Sequence, residues 1–415
     1  MEFRVLNSEQ YKQYYHDFTI RHFMQSYGFS LVYNSRGYVC EYVGVFEDEK
    51  PLALAMLARK KILNYTSYYA PRGLLCDYHD KEVLDFFIAN LKDYLFKHRA
   101  LYLKIDPGIV ISKRNFDSEI IEEYPEKDIL KILEAYGFKH RGFSYDLVDS
   151  SQPRFTFRLN IEKDLPELLA GMNSYNRNIL KKPFEELQII KNDPSTFPDF
   201  YQTMKDTALR ENLMLPDIRY YENFYNNLRL DQGSDLYVAK IDVDLLISNK
   251  RNKIEELKNN ISELESSASL NNKKKNRIIE YQGSITKLEK EITSLLPYEH
   301  QTPTLSGIIT AKDDDKVWIV YGGNRDILKD LNVNYHLYYQ VLKDAKEEGY
   351  KVLDFFGTHG HPDKDNPEYG LFLYKSKFGG DLLEFIGEFD LIIHPLANKI
   401  LMSLVKLRRR IKQKI

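Results

Sequence analysis

Between positions 245 and 296, once the first heptad is passed, apolar residues recur every three or four places on either side of one polar break. Ile247, Ile254, Leu257, Ile261 and Leu264 form one seam, and Ile278, Tyr281, Ile285, Leu288, Ile292 and Leu295 form a second. Seams at this spacing, with Lys, Glu and Asn elsewhere, predict two coiled-coil helices. The break at 266–275 is polar and rich in Ser and Asn, which suits a reversal of the chain. The helices are therefore expected to pack antiparallel as an arm, each ~35 Å long at the usual rise per residue.

Outside the arm the pattern alternates strand and helix. VGVFEDEKPLALAMLARKK reads as a hairpin with its tip at 47–50. A strand is expected at 68–75. A helix follows over 82–96, on the spacing of Val83, Phe86, Phe87, Leu91 and Leu95. A short buried strand over 101–105 then stops at Asp106-Pro107-Gly108. Strand, helix, strand recurs later: Gly322-Gly323, a helix over 335–348, then VLDFFG. Each unit opens with aromatics before a glycine and ends with an aspartate leaving a strand. This reads as two copies of one α/β unit. The expected division is 1–150 and 151–395, with the second unit interrupted by the arm at 243–298 and followed by a basic helix at 396–415. In the hairpin LSGIITAKDDDKVWIVYGG, Asp313 to Asp315 read as a solvated turn.

At 415 residues the chain is too long for one ordinary core. Net charge is −2, so contact with nucleic acid or membrane must come from local patches. The two cysteines, Cys40 and Cys76, sit among apolar residues, as buried free thiols would, though a disulfide stays open. MEFRVLNSEQ lacks a basic-then-apolar leader, and the longest apolar run, 52–58, cannot span a bilayer. The expected location is cytoplasmic, with peripheral contact at the membrane face. That contact falls to the tail NKILMSLVKLRRRIKQKI, where apolar Ile400, Leu401, Leu404, Leu407 and Ile411 share one face among cations. The same cations suit tRNA phosphate, as do Lys273 to Lys275 and Arg277 at the arm tip.

FMQSYGF, YAPRG and KIDP in the first half, with VYGGN, EEGYKVLDFFG, LYKSKFGG and IGEFD in the second, together resemble the Fem/Mur aminoacyltransferases. The resemblance runs in order along nearly the whole chain, and the arm falls where most members carry one. It implies a fold of two GNAT-like acyltransferase domains. It also implies transfer of an amino acid from aminoacyl-tRNA to the stem-peptide lysine of a peptidoglycan precursor, either lipid II or UDP-MurNAc-pentapeptide. No cofactor or metal is implied, because the donor ester is already activated. The acceptor amine is protonated near neutrality, since a free lysine titrates at about 10.4, so the site must take a proton and stabilise an oxyanion.

The resemblance also nominates residues. Asp106 matches the family's IDP/FDP aspartate, for which a base role is proposed; turn capping is the alternative. Lys375 matches the FK lysine, with Lys377 beside it on what reads as a strand. Glu388 matches the IGEFD glutamate, for which a structural salt bridge is an equal reading. Lys182, in KKPF, stands where the family has an arginine that contacts diphosphate, and Arg177 upstream is expected to supply the missing fork. Tyr33 stands at a family cation, with Arg36 three residues on. Tyr220 and Tyr321 match cleft-lining tyrosines. His359, His361 and Asp363 alternate in THGHPDKDNPEYG, but without a fourth ligand they read as a variable loop. Two rivals remain: an acetyl-CoA-dependent acyltransferase, whose pyrophosphate turn finds its nearest match at Gln25 to Ser30, and a non-catalytic body carrying a coiled-coil interaction arm.

Overall fold

The computed structural model describes residues 1–147, 150–266, 271–360, 364–401 and 403. Two mixed sheets organise it. The first runs in the order Glu2–Leu6, Val39–Glu47, Lys50–Ile62, Tyr65–Ala70, Ala100–Ile105, Phe389–Ile392 and Phe138–His140, with Leu75–Cys76 paired to Lys50–Ile62. The second runs Leu187–Lys191, Leu236–Ile241, Thr304–Asp313, Lys316–Asn324, Val352–Thr358, Phe155–Asn160, Asp381–Phe385, Val110–Arg114 and Ile120–Glu123.

The repeat expected from sequence is present. Each sheet has a parallel pair joined by a helix: Tyr65–Ala70 with Ala100–Ile105 through Lys81–Lys97, and Lys316–Asn324 with Val352–Thr358 through Val333–Glu347. The sheets are not simply the two halves of the chain, however. Val110–Arg114 and Ile120–Glu123 extend the second sheet, and Phe389–Ile392 inserts in the first between Ala100–Ile105 and Phe138–His140. Each half thus lends strands to the other's sheet.

Each sheet buries its own core, and a third core joins the halves. Tyr15, Phe23 and Phe29 from the first half meet Phe224 and Trp318 from the second there, with Phe23 5.2 Å from Trp318, ring to ring. Helix Tyr27–Ser35 lies against helix Ile218–Arg229 at Gly28, where a Cβ would stand 2.7 Å from the Asn227 carbonyl oxygen. Gly323 admits helix Phe197–Arg210 in the same way, since a Cβ there would stand 2.6 Å from the Thr203 hydroxyl. Asp313 departs from the expected solvated turn. It is buried, accepts from the Tyr15 phenol and pairs with Arg21 at 3.1 Å, tying the halves together.

The arm forms as expected. Helices Val243–Glu265 and Asn272–Leu295 are capped by Asp242 and Asn271. Lys250 meets Glu291 at 2.6 Å, a pairing that only an antiparallel arrangement allows. Leu246, Ile247 and Leu295 anchor its base in the second core, while Ile254, Leu257 and Ile278 bury against the partner helix. Both cysteines are free. The basic tail beyond Ser403 lies outside the described residues.

Candidate active site

Strand Ala100–Ile105 delivers Asp106 to its carboxyl end, and Pro107 turns the chain away. The Asp106 carboxylate is 2% exposed. One oxygen accepts the Tyr69 phenol and the other the Arg72 amide, both at 2.7 Å. Arg72 adopts a left-handed φ of 53°, which aims its N–H at the carboxylate. Burial raises the Asp106 pKa to about 6, against the pull of the Arg72 guanidinium and these hydrogen bonds. A carboxyl titrating there can exchange a proton near neutrality.

Asp106 lines a cavity of about 110 Å³, and Glu388 lines the same cavity. Glu388 follows the turn at Gly387 and accepts from Lys104 at 3.1 Å and from the Ser151 amide. Burial works to raise its pKa, but the Ser151 amide and Lys104 outweigh burial and hold it below the ordinary carboxylate value. The two carboxyls are therefore pushed apart, one toward proton exchange and one toward permanent charge. Glu388 thus forms the expected salt bridge, with Lys104, and lines the cavity beside Asp106.

Two arginines in this cavity were not nominated from sequence. Arg72 and Arg154 are 5% and 4% exposed. Arg72 donates to the Pro153 carbonyl at 2.6 Å, and Arg154 pairs with buried Glu384. Nε of Arg72, and Nε and Nη1 of Arg154, are buried without a hydrogen-bond partner among the described residues. Both guanidinium groups also lie over aromatic rings, Arg72 on Phe385 and Arg154 on Phe143, and what they bring to the cavity they line is positive charge suited to an oxyanion. Arg72 stands in the quoted YAPRG motif. Arg154 opens a hydrophobic strand, and that contrast was its one signal in the sequence.

An aromatic wall extends from Asp106. Tyr69 faces Tyr33 edge-on at 6.3 Å. Tyr220 and Tyr321 share a 2.5 Å hydroxyl contact, and Arg36 lies over the Tyr220 ring at 5.4 Å. Asp106 and Tyr220 both act to raise the pKa of buried Tyr33, whose largest cause is burial itself. The structure thus gathers Asp106, Tyr33, Arg36, Tyr220 and Tyr321. Gln25 braces this region. Its amide donates to the carbonyls of Met56 at 3.2 Å and Pro71 at 2.8 Å and accepts from the Met56 amide at 2.9 Å. With Gln25 so engaged and Gly28 pressed on helix Ile218–Arg229, this segment is no pyrophosphate turn.

Lys375 lies on helix Tyr369–Ser376, not on the expected strand. Residues two apart on a helix do not share a face, so Lys375 and Lys377 diverge. Lys377 reaches the Tyr335 phenol at 3.2 Å. Lys375 is buried and donates to the carbonyls of Phe356, at 3.2 Å, and Gly357. Burial lowers its pKa to about 7, with Asp354 pulling the other way. It does not line the Asp106 cavity, but Phe356 and Gly357 line a smaller one together with Arg72 and Pro153, which line both. Asp106 thus lines the first cavity, and Lys375 holds the backbone that borders the second. That second cavity lies where strands Lys316–Asn324 and Val352–Thr358 part beyond the Trp318–Asp354 pair.

Arg177 and Lys182 lie elsewhere. The Arg177 guanidinium donates through Nη1 to the carbonyls of Ala170, at 3.1 Å, and Met172, and it does not line the Asp106 cavity. Lys182 lines a separate cavity of about 340 Å³ with Tyr175, Phe184 and His336. His361 and Asp363 lie outside the described residues. His359 is buried beside Asp146 at 2.6 Å, and Glu368 completes a group whose ligand atoms lie within 4.8 Å of one another. Two ligands of one tetrahedral zinc stand ~3.3 Å apart, so the His359–Asp146 contact is a hydrogen bond closing the loop.

A model of the FemAB family matches residues 6–406. The lipid II:glycine glycyltransferase of Staphylococcus aureus is 31% identical over 397 residues, covering 91% of each chain. A crystal structure of FemX superposes with a TM-score of 0.76 at 30% identity, covering 98% of this chain and 100% of that one. With a family match over nearly its whole length and a relative this similar, the chain belongs to the FemAB family.

Proposed function

We propose that this protein transfers an amino acid from aminoacyl-tRNA to the stem-peptide lysine amine of lipid II, building the interpeptide bridge of peptidoglycan. The observation that carries the reading is Asp106: a buried carboxyl raised to about 6, in a cavity lined by two arginines. The acceptor class follows the relative named lipid II:glycine glycyltransferase, and glycine is the first amino acid to test.

The chemistry balances on these residues. The acceptor ammonium gives a proton to Asp106, and the freed amine attacks the ester carbonyl. The tetrahedral oxyanion is stabilised by the positive charge of Arg72 and Arg154. The new C–N bond forms, the ester C–O bond breaks, the second proton on the attacking nitrogen passes to the departing ribose oxygen, and Asp106 releases the first to solvent. Tyr33, Tyr220 and Tyr321 with Arg36 wall the approach. Lys375, near its neutral form at pH 7, holds the Phe356–Gly357 backbone that borders the site. The donor ester supplies the activation, so no cofactor is required. Among the described residues no helix is long and apolar enough to cross a membrane.

The deciding experiment incubates the protein with glycyl-, seryl- or alanyl-tRNA and either lipid II or UDP-MurNAc-pentapeptide, with mass spectrometry of the product. One residue added to the lysine amine is expected. Acetylation from acetyl-CoA, or no transfer from any charged tRNA, would overturn the reading.

A further inference from the structure

Four large apolar side chains stand in solvent at the end of the first sheet remote from Asp106: Leu63 (71% exposed), Phe96 (60%), Leu396 (80%) and Ile400 (62%). They converge because three chain segments are tied there. The Thr66 amide donates to the Arg99 carbonyl at 3.0 Å, and its hydroxyl to the His98 carbonyl at 2.9 Å. His394 bonds the Ala100 carbonyl at 2.7 Å, stacks on Phe96 at 4.8 Å and meets Tyr65 at 5.5 Å. The turn after Ile62, the end of helix Lys81–Lys97 and the helical stretch at 395–401 therefore share one surface.

That surface is basic. Lys60, Lys61, Lys97, Arg99 and Lys399 are exposed around it, and among the described residues none is in an ion pair. Lys60 and Arg99 lie instead over the Tyr38 and Tyr65 rings, at 4.9 and 5.1 Å. Aliphatic and aromatic side chains ringed by cations of one sign match the interface of an anionic bilayer. A nucleic-acid face would need the cations but not the exposed leucines and isoleucine.

We propose that this face docks the protein on an anionic membrane surface, and this rests on the reading that the acceptor is lipid-linked. Strand Ala100–Ile105 runs from the face to Asp106, a span of ~20 Å at about 3.3 Å per residue. An extended peptide on a membrane-anchored sugar can cover that distance.

The test uses the full chain with vesicles of equal parts phosphatidylglycerol and phosphatidylcholine, and with phosphatidylcholine alone. Wild type is expected to sediment with the anionic vesicles only, and to be released by salt. Leu396→Glu with Ile400→Glu should bind them roughly tenfold more weakly or worse, with transfer to soluble UDP-MurNAc-pentapeptide unchanged and transfer to vesicle-borne lipid II reduced. Lys97→Glu with Arg99→Glu should behave alike, which guards against a folding defect in the first pair. Failure of wild type to bind, or equal binding by the variants, overturns the proposal. So does a loss confined to tRNA affinity, which would make this a nucleic-acid face. So does a lower Tm with vesicle binding intact, which would show that the chain's own tail covers the patch. Absence of transfer to every acceptor by wild type would instead sink the functional reading, whatever the vesicles show.

Discussion

Tyr69 donates its phenol to Asp106 at 2.7 Å, inside a pocket that keeps the carboxylate 2% exposed. The contact holds the side chain in one rotamer, yet burial still raises its pKa to about 6. The folded-state value lies above the ordinary aspartate value of 3.8, so the folded protein holds this proton more tightly than the unfolded chain does. The associated stability is full below pH ~4 and is lost as pH rises through about 6. Ionised Asp106 thus costs roughly 3 kcal/mol at neutral pH. Asp106→Asn is expected to lower kcat/KM at least ~100-fold while Tm at neutral pH stays level or rises. The wild-type rate should climb with pH through about 6. A flat pH profile, or a fully active variant, would remove Asp106 as the base.

Glu388 should behave oppositely. Its pKa is held below the ordinary value, so its stability is present above the unfolded pKa of ~4.3 and is lost as pH falls through the lower folded value. Glu388→Gln leaves Lys104 with the Ser151 hydroxyl but no opposing charge and should cost about 1–3 kcal/mol. Thermal melts at neutral pH and at pH ~4 measure this, and the gap between variant and wild type should shrink at the acidic end.

What the sequence revealed divides along physical lines. The arm was legible because Ile254, Leu257 and Ile278 obey a local period, and Asp106 because a strand and a proline flank it. Lys375 was misplaced on a strand because LYKSKFGG is too short for its period to separate helix from strand. Arg72 and Arg154 were missed because their burial beside one cavity is something only assembly creates. Asp313 looked like a turn residue because its partners, Tyr15 and Arg21, come from the far end of the chain. The exchange of strands between sheets is likewise a long-range pairing with no local signature.

Gln25 offers a test of positioning without chemistry. Its side chain bridges Met56 and Pro71, one residue before the Arg72 amide that faces Asp106. Gln25→Glu keeps the volume but replaces the donor to two carbonyls with an acceptor. The expected result is a stability loss of about 1–3 kcal/mol, a lower kcat at unchanged KM, and a shifted acidic limb of the pH–rate profile. A pH profile identical to wild type would confine Gln25 to the core.

Lys375 is buried with its pKa lowered to about 7, so the folded state favours the neutral amine. The unfolded lysine protonates at ~10.4, and stability is therefore lost as pH falls from there toward about 7. Lys375→Met removes that burden but leaves the Phe356 and Gly357 carbonyls without their donor. The difference in Tm between variant and wild type should thus move in the variant's favour as pH drops across this window. Transfer activity should fall at every pH, because the backbone bordering the site loses its clasp. A Tm difference independent of pH would show that the amine is charged in place.

The arm separates from the body energetically as well as in shape. Leu246, Ile247 and Leu295 belong to the second core, whereas Ile254, Leu257 and Ile278 contact the partner helix. Replacing both Ile254 and Leu257 by Asp puts charges into a dry seam at several kcal/mol each. The outer turns of the arm should then unfold while the sheets keep their packing. Circular dichroism should report lost helix with the main thermal transition shifted by no more than ~2 °C. Transfer to soluble UDP-MurNAc-pentapeptide tests what the arm is for. Retained activity would make it a recruiting device, whereas a rise in KM for charged tRNA alone would assign its basic tip, Lys273 to Lys275, to the donor.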